Sequence, residues 1–366
     1  MSVLEHYERA FERLPASART DSRRSALSRL LERGLPTPAQ EDWKYTDLSS
    51  VYELAPDGGD IDGEAPARLD SEADGVDALN AAFASGGLQL ELAAGVHRSE
   101  VIVAGGNGHR RHRVRLGRGA QARLRLDVQP HAAFQTVVLD LELEAGAHLT
   151  VLRLQDADAD ARHLTRVRAR LGRDTTLDVS TIDLGGRLSR HDLLVDLAEP
   201  GAQVRLRGLF VARGQGHIDN HTRFDHRAPH GTSRETVRGL ALDTARGVFN
   251  GKIVVHPGAQ KTDSEQRVAN LILSPKAEIN AKPELEIYAD DVKCAHGATF
   301  GQLDPTALFY LRSRGLPAAD ARALLTLAFA MEPLRAIPDP EFRREAIERV
   351  SAHLGSRLGE DTEVVE

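Results

Sequence analysis

The sequence of 366 residues contains one cysteine, two methionines and one tryptophan, and aromatic residues make up only 4% of it. A single cysteine excludes an intramolecular disulfide, a zinc ribbon and a four-cysteine cluster within this chain. It also suits a reducing compartment, so we expect a cytoplasmic protein. The sequence has no Walker A, G-x-S-x-G or H-E-x-x-H motif, and the scarcity of aromatic residues argues against a sugar-binding groove.

Charge and hydropathy argue against two further classes of protein. The net charge is -7 and arginines alternate with acidic residues, so no basic stripe for nucleic acid is present. The segment Met1–Glu8 is charged and lacks the apolar core of a signal peptide. The apolar run Ala323–Met331 is about half as long as a membrane span needs to be. We therefore expect neither a nucleic-acid partner nor a membrane association.

The N-terminal part of the chain has helical periodicity. Tyr7, Phe11 and Leu14 share one face of a predicted helix, and the only tryptophan, Trp43, follows in a polar segment. We assign residues 1–54 to an N-terminal helical segment. Residues 55–87 are acidic and glycine-rich at their start, which predicts a flexible acidic linker, with a short helical turn at 78–83.

From residue 88 the apolar period changes from 3.6 to two, which predicts strands with one buried and one solvated face. Glycine corners recur at intervals of 27, 26 and 29 residues, each interval holding two predicted strands, at Gly119, Gly146, Gly172 and Gly201. Two strands per repeat favour a β-helix over a propeller. A β-sandwich is the alternative, since its strands also alternate. The predicted β-helix core covers residues 88–303.

Helical periodicity returns in residues 304–366, which we assign to a C-terminal helical segment. Asp304 is a predicted N-cap for a helix that Gly315 ends, and Asp339 begins the last helix, which ends before Gly355. The middle helix runs from residue 318 to 331, and Pro333 is predicted to stop it. Because this helix is apolar nearly all round, it must be buried or covered by a partner.

Cys294 and His296 are the residues most suited to metal chemistry. In an extended strand their side chains lie on the same face, where a thiolate and an imidazole could bind zinc, copper or an iron–sulfur species. The alternative is a buried cysteine beside a hydrogen-bonded histidine.

A second group of candidate ligands is a cluster of four histidines, His217, His221, His226 and His230. Their spacing would suit a metal site on a helix, but the surroundings are strands and a proline loop. We therefore expect polar strand and corner residues, with imidazoles hydrogen-bonded to backbone.

Six motifs in order resemble the SufB/SufD family of iron–sulfur cluster assembly proteins, namely Phe249–Ile253, Ala259–Asp263, Asn270–Ser274, Pro283–Ile287, Asp290–Ala298 and Phe309–Gly315. The segment Glu41–Thr46 and the compact length are more similar to the SufD branch than to the SufB branch. The resemblance implies a mainly β protein, with a right-handed parallel β-helix core between helical segments. It also implies a non-catalytic scaffold subunit in a complex with a SufB-like subunit and a SufC-like ABC ATPase, which hydrolyses the ATP.

The resemblance further assigns roles to residues. His296 and Cys294 would handle a transient iron–sulfur cluster or iron shared with the SufB-like subunit, since one cysteine cannot hold a cluster stably. The C-terminal helices would dock on the ATPase through Phe309, Tyr310, Arg312, Arg314, Leu324, Leu327 and Phe329. A SufB-like scaffold acting as a homodimer and a purely structural adaptor are the alternatives. The sequence leaves open whether iron or sulfide arrives here and whether flavin binds.

Overall fold

The computed structural model describes residues 3–51, 74–105, 108–129 and 134–354. The helices are α1 (Val3–Glu12), α2 (Asp21–Arg33), α3 (Gly75–Phe83), α4 (Pro305–Ser313), α5 (Ala318–Arg335) and α6 (Pro340–His353), with 3-10 turns at Ala16–Ala18, Glu41–Trp43 and Ser49–Val51. The first eight strands are β1 (Gln89–Leu92), β2 (His97–Gly105), β3 (Gly108–Leu116), β4 (Gln121–Gln129), β5 (Phe134–Leu143), β6 (His148–Ala157), β7 (Arg162–Leu171) and β8 (Thr176–Gly185). The remaining strands are β9 (Leu188–Leu197), β10 (Gln203–Ala212), β11 (His217–His226), β12 (Thr232–Ala241), β13 (Arg246–Val255), β14 (Asp263–Ile272), β15 (Glu278–Ile287) and β16 (Lys293–Gly301).

The strands form two eight-stranded parallel sheets. Odd-numbered strands build sheet A and even-numbered strands build sheet B, so each coil of the chain contributes one strand to each sheet. The coil lengthens along the molecule: Gln89 lies opposite Arg113, 24 residues on, whereas Arg246 lies opposite Glu278, 32 residues on. The predicted parallel β-solenoid is therefore confirmed, and the sandwich is excluded because its sheets are antiparallel. The right-handed sense stays a prediction.

One corner of the solenoid is a ladder of residues with positive φ. Gly119, at φ 65°, donates its backbone N–H to the Ala145 carbonyl of the next coil at 2.9 Å. The predicted corner at Gly172 is wrong by two residues, because Asp174 adopts the left-handed conformation in that coil. The same conformation recurs at the equivalent corners of other coils, at Gly146, Gly201, His230 and Lys261. Asparagine, aspartate and other residues can replace glycine in such turns, so a search for glycine alone does not find every corner of the repeat.

The N-terminal helices cover the outer face of sheet A. Tyr7, Phe11 and Phe83 pack against Phe134 and Leu164 of the sheet. The helical turn predicted at 78–83 is confirmed and is longer than predicted: residues 75–83 form the buried helix α3, so the predicted flexible linker does not extend over them. Asp74 caps this helix by accepting the backbone N–H groups of its first turn. Residues 55–73 lie outside the described part of the chain.

Helices α5 and α6 cover the outer face of sheet B. Their inner faces carry Leu334 and Phe342, which pack against Leu152, Ile182 and Leu240 of the sheet. The predicted stop at Pro333 is wrong, since α5 continues to residue 335. A proline so close to a helix end removes only one hydrogen bond, and burial of the last turn outweighs it. In the described residues no helix has the length and apolar character to cross a membrane. Residues 355–366 are outside the described part.

Candidate functional site: the open end of the solenoid

The last coil, β15 and β16, forms one end of the solenoid. Each of these strands pairs with one described strand, β13 or β14, and so lies at the edge of its sheet. Side chains of β16 are exposed or half-buried, whereas those of β14 at the same register are mostly buried. We call this coil the open end. An edge strand offers unpaired backbone groups to another chain.

Cys294 and His296 lie together on the inward side of β16. Cys294 packs on a small apolar cluster with Ile253 and Val255, and Ala298 packs against the main core. Because a strand alternates with period two, His296 between them points to the same side. The same-face prediction is confirmed. Cys294 is half-buried while His296 is exposed, so the alternative of a buried cysteine with a hydrogen-bonded histidine does not describe this pair.

The Cys294 thiol is held in its protonated form in the free chain. Burial raises its pKa, and the nearby Asp263 carboxylate adds to the rise, while a backbone hydrogen bond from Ser264 opposes it. A thiol binds metal as the thiolate, so a bound cation must displace this proton. Metal binding by Cys294 would therefore require the loss of this proton.

Buried polar side chains lie directly below this pair, inside the solenoid. Ser264 is next to Cys294 and shares a 2.6 Å hydrogen bond with Ser233. Gln266 is next to His296 and donates from Nε2 to Oε2 of Glu235 at 2.5 Å. Burial raises the pKa of Glu235 to about 7, although the hydrogen bond from Gln266 opposes the rise. The sequence did not reveal these partners.

The four histidines do not form a metal site. His217 and His221 lie on the outer face of β11, His226 lies in the interior, and His230 forms a corner. Their described partners are side chains rather than the predicted backbone groups: Thr46 for His217, Asp219 for His221 and Ser233 for His226. Across the described ranges, no group of three or more His, Cys, Asp or Glu side chains could hold a metal ion.

Beneath the N-terminal segment lies a buried ionic cluster that sequence reasoning missed. Arg190 donates to Asp192 at 2.8 Å, to Asp219 at 2.9 Å and to the Asp42 carbonyl at 2.9 Å. Its guanidinium lies 3.7 Å from the centre of the Trp43 ring. The alternation of the strand predicts that Arg190 lies on its outer face. Its burial depends on the N-terminal segment that covers this face, which the alternation does not predict.

Helix α4 contacts α5, and Ala307, Leu308 and Leu311 are half-buried, while the rest of the helix is exposed. None of its residues is buried, and Phe309 and Tyr310 are 73% and 56% exposed. The Arg314 guanidinium lies 5.3 Å from the Tyr310 ring centre. We name Phe309, Tyr310, Arg312 and Arg314 the α4 surface. Exposed aromatic residues beside arginines are typical of protein interfaces.

The other predicted partner residues belong to α5 and are placed differently. Leu327 is buried within the chain, and Phe329 packs on the apolar cluster over sheet B with Arg238 above its ring. Leu324 is half-buried. These three residues therefore lie on a different helix, α5, which contacts α4.

The chain thus combines a parallel β-solenoid with a half-buried thiol and an exposed imidazole on an edge strand, and with a helix that carries exposed aromatic residues. Residues 101–329 match the SufBD core domain of the SUF system for FeS cluster assembly. The chain belongs to this SufBD family. The family and the fold agree on a role in iron–sulfur cluster assembly.

Individual relatives point to the SufD branch. The chain is 28% identical to the iron–sulfur cluster assembly protein SufD of Escherichia coli over 415 aligned positions, covering 96% of this chain and 97% of that protein. It is 28% identical to SufD of Bacillus subtilis over 187 residues, half of this chain and 42% of that protein. A SufBD family protein of Synechocystis is 39% identical over 210 residues, but the match spans only 57% of this chain and 46% of that protein. The resemblance to SufD is confirmed.

Proposed function

We propose that this chain is the SufD-like subunit of a cytoplasmic iron–sulfur cluster assembly complex. The observation that carries the proposal is the placement of Cys294 and His296 on one face of the edge strand β16. One thiolate and one imidazole cannot enclose a cluster, so a second chain must supply the remaining ligands. The iron or the nascent cluster is cargo held between the two.

The second chain is a SufB-like subunit that binds at the open end. β15 and β16 present edge backbone groups, and Ile287 and Phe300 add exposed apolar surface of 42% and 51%. Joining two edges would pair the backbone and bring a partner thiolate beside Cys294. A homodimer of this chain would use the same edges when the partner is absent.

A SufC-like ATPase binds the α4 surface and performs the ATP hydrolysis. Helix α4 leads directly from β16. Helix α6 is fixed to sheet B by the ion pairs Arg123–Asp339 and Arg125–Glu345, both at 2.7 Å, and α5 by the pair between Arg238 and Glu332. A movement of the ATPase would therefore pass through residues 304–354 to the last coil. There it would open or close the seam that holds the cargo.

His296→Ala is expected to lower cluster formation by about tenfold or more while the complex still assembles, because one ligand is lost and no buried contact is changed. The measurement is iron and sulfide bound per complex after reconstitution. His97→Ala, an exposed histidine on β2 at the far end of the solenoid, is the matched control.

The same experiment separates the alternatives. Unchanged cluster formation in His296→Ala and in Cys294→Ala would leave only the structural adaptor. A stable cluster on the isolated chain, lost in either variant, would indicate a homodimeric scaffold instead.

Phe309→Ala/Tyr310→Ala is expected to weaken ATPase binding by about 2–4 kcal/mol, or about 30- to 1000-fold, because exposed aromatic anchors dominate interfaces. Co-purification and titration calorimetry with the SufC-like protein measure it. Tyr288→Ala removes an aromatic residue of similar exposure, 59%, from outside α4. If both variants weaken ATPase binding equally, the α4 surface is not the specific binding site for the ATPase.

A further inference from the structure

Gln266 is a buried amide with one unused hydrogen-bonding atom. It is fully buried in β14, and its Nε2 is committed to Glu235 in β12. Its Oε1 is also buried and accepts a hydrogen bond from no described residue. An amide oxygen buried without a partner costs on the order of 1–3 kcal/mol, so its position calls for a donor.

The strand register identifies that donor. Glu235, Gln266 and His296 occupy the same position in β12, β14 and β16, so their side chains stack along the solenoid axis. The neighbour below Gln266 already takes its N–H, and the neighbour above it is His296. Strands in a sheet are about 4.8 Å apart, which lets a change of side-chain rotamer bring the imidazole onto the amide oxygen.

The opposite wall leaves room for this amide. A Cβ at Gly251 of β13 would lie 2.2 Å from Gln266 Nε2. A side chain at 251 would therefore displace the amide from Glu235. Gly251 belongs to one of the family-like motifs, and its role follows from this contact. The amide is held from three sides: by Glu235, by the glycine wall and by the strand above.

We propose that Gln266, oriented by Glu235, is a positioning residue for His296. Its Oε1 accepts the N–H of one imidazole nitrogen when a partner covers the open end. That nitrogen keeps its proton, and the other nitrogen presents its lone pair to the cargo iron. Histidines that bind metal usually donate their second N–H to an oxygen in this way, which sets both tautomer and ring orientation. The inference rests on the proposed role of His296.

The test uses two variants in the assembled complex. Gln266→Met keeps the length of the side chain but removes the acceptor, and we expect about 10- to 100-fold weaker iron binding with the complex intact. The double variant Glu235→Gln/Gln266→Glu exchanges the two groups and keeps both the hydrogen bond and an acceptor below His296, so it should restore most of the loss. Gln155→Met is the control, since Gln155 is equally buried in β6, far from the open end.

A second readout needs no cargo. The ¹⁵N spectrum of the His296 imidazole, assigned by its loss in His296→Ala, should show one tautomer in the wild-type complex without iron and a mixture in Gln266→Met. A tautomer mixture in the wild-type complex, or an exchange variant no better than Gln266→Met, would overturn the proposal. If His296→Ala leaves cluster formation unchanged, the proposed function fails instead, whatever the tautomer.

Discussion

Arg190→Met is expected to lower the free energy of unfolding by about 3–5 kcal/mol, because it leaves a buried pair of carboxylates without their shared cation. Asp192 and Asp219 are both buried and both accept hydrogen bonds from Arg190. Burial alone would raise the pKa of Asp219, but His221 and Arg190 outweigh it and lower this pKa to about 2. Without Arg190, Asp219 loses the one arginine that bonds it, whereas Asp192 keeps its hydrogen bonds from Arg166 at 3.0 and 2.8 Å.

The change has a direct optical readout, because the only tryptophan of the chain lies on this guanidinium. In Arg190→Met we expect the emission of Trp43 to shift to the red at a denaturant concentration where the core of the solenoid is still folded. Urea unfolding followed by far-UV circular dichroism measures the global loss, and fluorescence measures the release of the N-terminal segment.

Arg170→Met is the matched control for this prediction. Arg170 also bonds an aspartate, Asp196, at 2.8 Å, but its side chain is 65% exposed. An exposed ion pair contributes only about 0–1 kcal/mol, so this variant should unfold almost as the wild type does. Equal losses in the two variants would show that the N-terminal segment is not held by the buried cluster.

The N-terminal segment matters for function because it reaches the open end. Glu41, two residues from Trp43, lies 2.5 Å from Lys282 on β15, and Glu284 bonds the same ammonium at 2.9 Å. Lys282 donates these hydrogen bonds to Glu284 and Glu41, and they raise the pKa of Lys282 and keep it charged. The segment thus contacts the edge strand that we assign to the SufB-like partner.

Sequence pattern predicted the solenoid well where one strand face is wet. The alternation in β4 is visible because charged side chains occupy its outer face, where Arg123 is 55% exposed. The strand character of β11 was also expected, but its burial was not, because one face is covered by the interior and the other by the N-terminal segment. The hydrogen-bond partner that His217 and Asp219 share, Thr46, could not be predicted, because it lies far away in the chain.

The candidate site was predictable only within one strand. The period of two was enough to place Cys294 and His296 on a common face. Placing Gln266 below His296 required the register between coils, 30 residues apart, and that register depends on corners whose lengths vary from coil to coil. The orientation of the amide depends in turn on Glu235, one coil further back. Because the coils differ in length, a periodicity within one strand does not predict which residues are neighbours in adjacent coils.

Glu235→Gln is expected to make the protein more stable than the wild type at pH 8, and to lose this advantage at pH 4.5. The carboxyl group of Glu235 is buried inside the solenoid, and burial raises its pKa to about 7 from an unfolded value of 4.5. The amide of glutamine has the same shape, carries no charge and can still accept the hydrogen bond from Gln266. The variant therefore avoids the cost of ionising a buried acid.

The number of protons bound in the folded and unfolded states sets the sign and the size of this stability difference. Between pH 4.5 and 7 the folded protein keeps a proton that the unfolded chain has released, so wild-type stability falls as the pH rises through this window. A difference of about 2.5 pH units corresponds to about 3 kcal/mol. Urea unfolding of wild type and variant at pH 4.5 and pH 8 measures the change, and Glu91→Gln, whose side chain is 74% exposed, should show no such change. A stability difference that stays constant with pH would mean that Glu235 is already ionised in the fold, held as a carboxylate by Gln266.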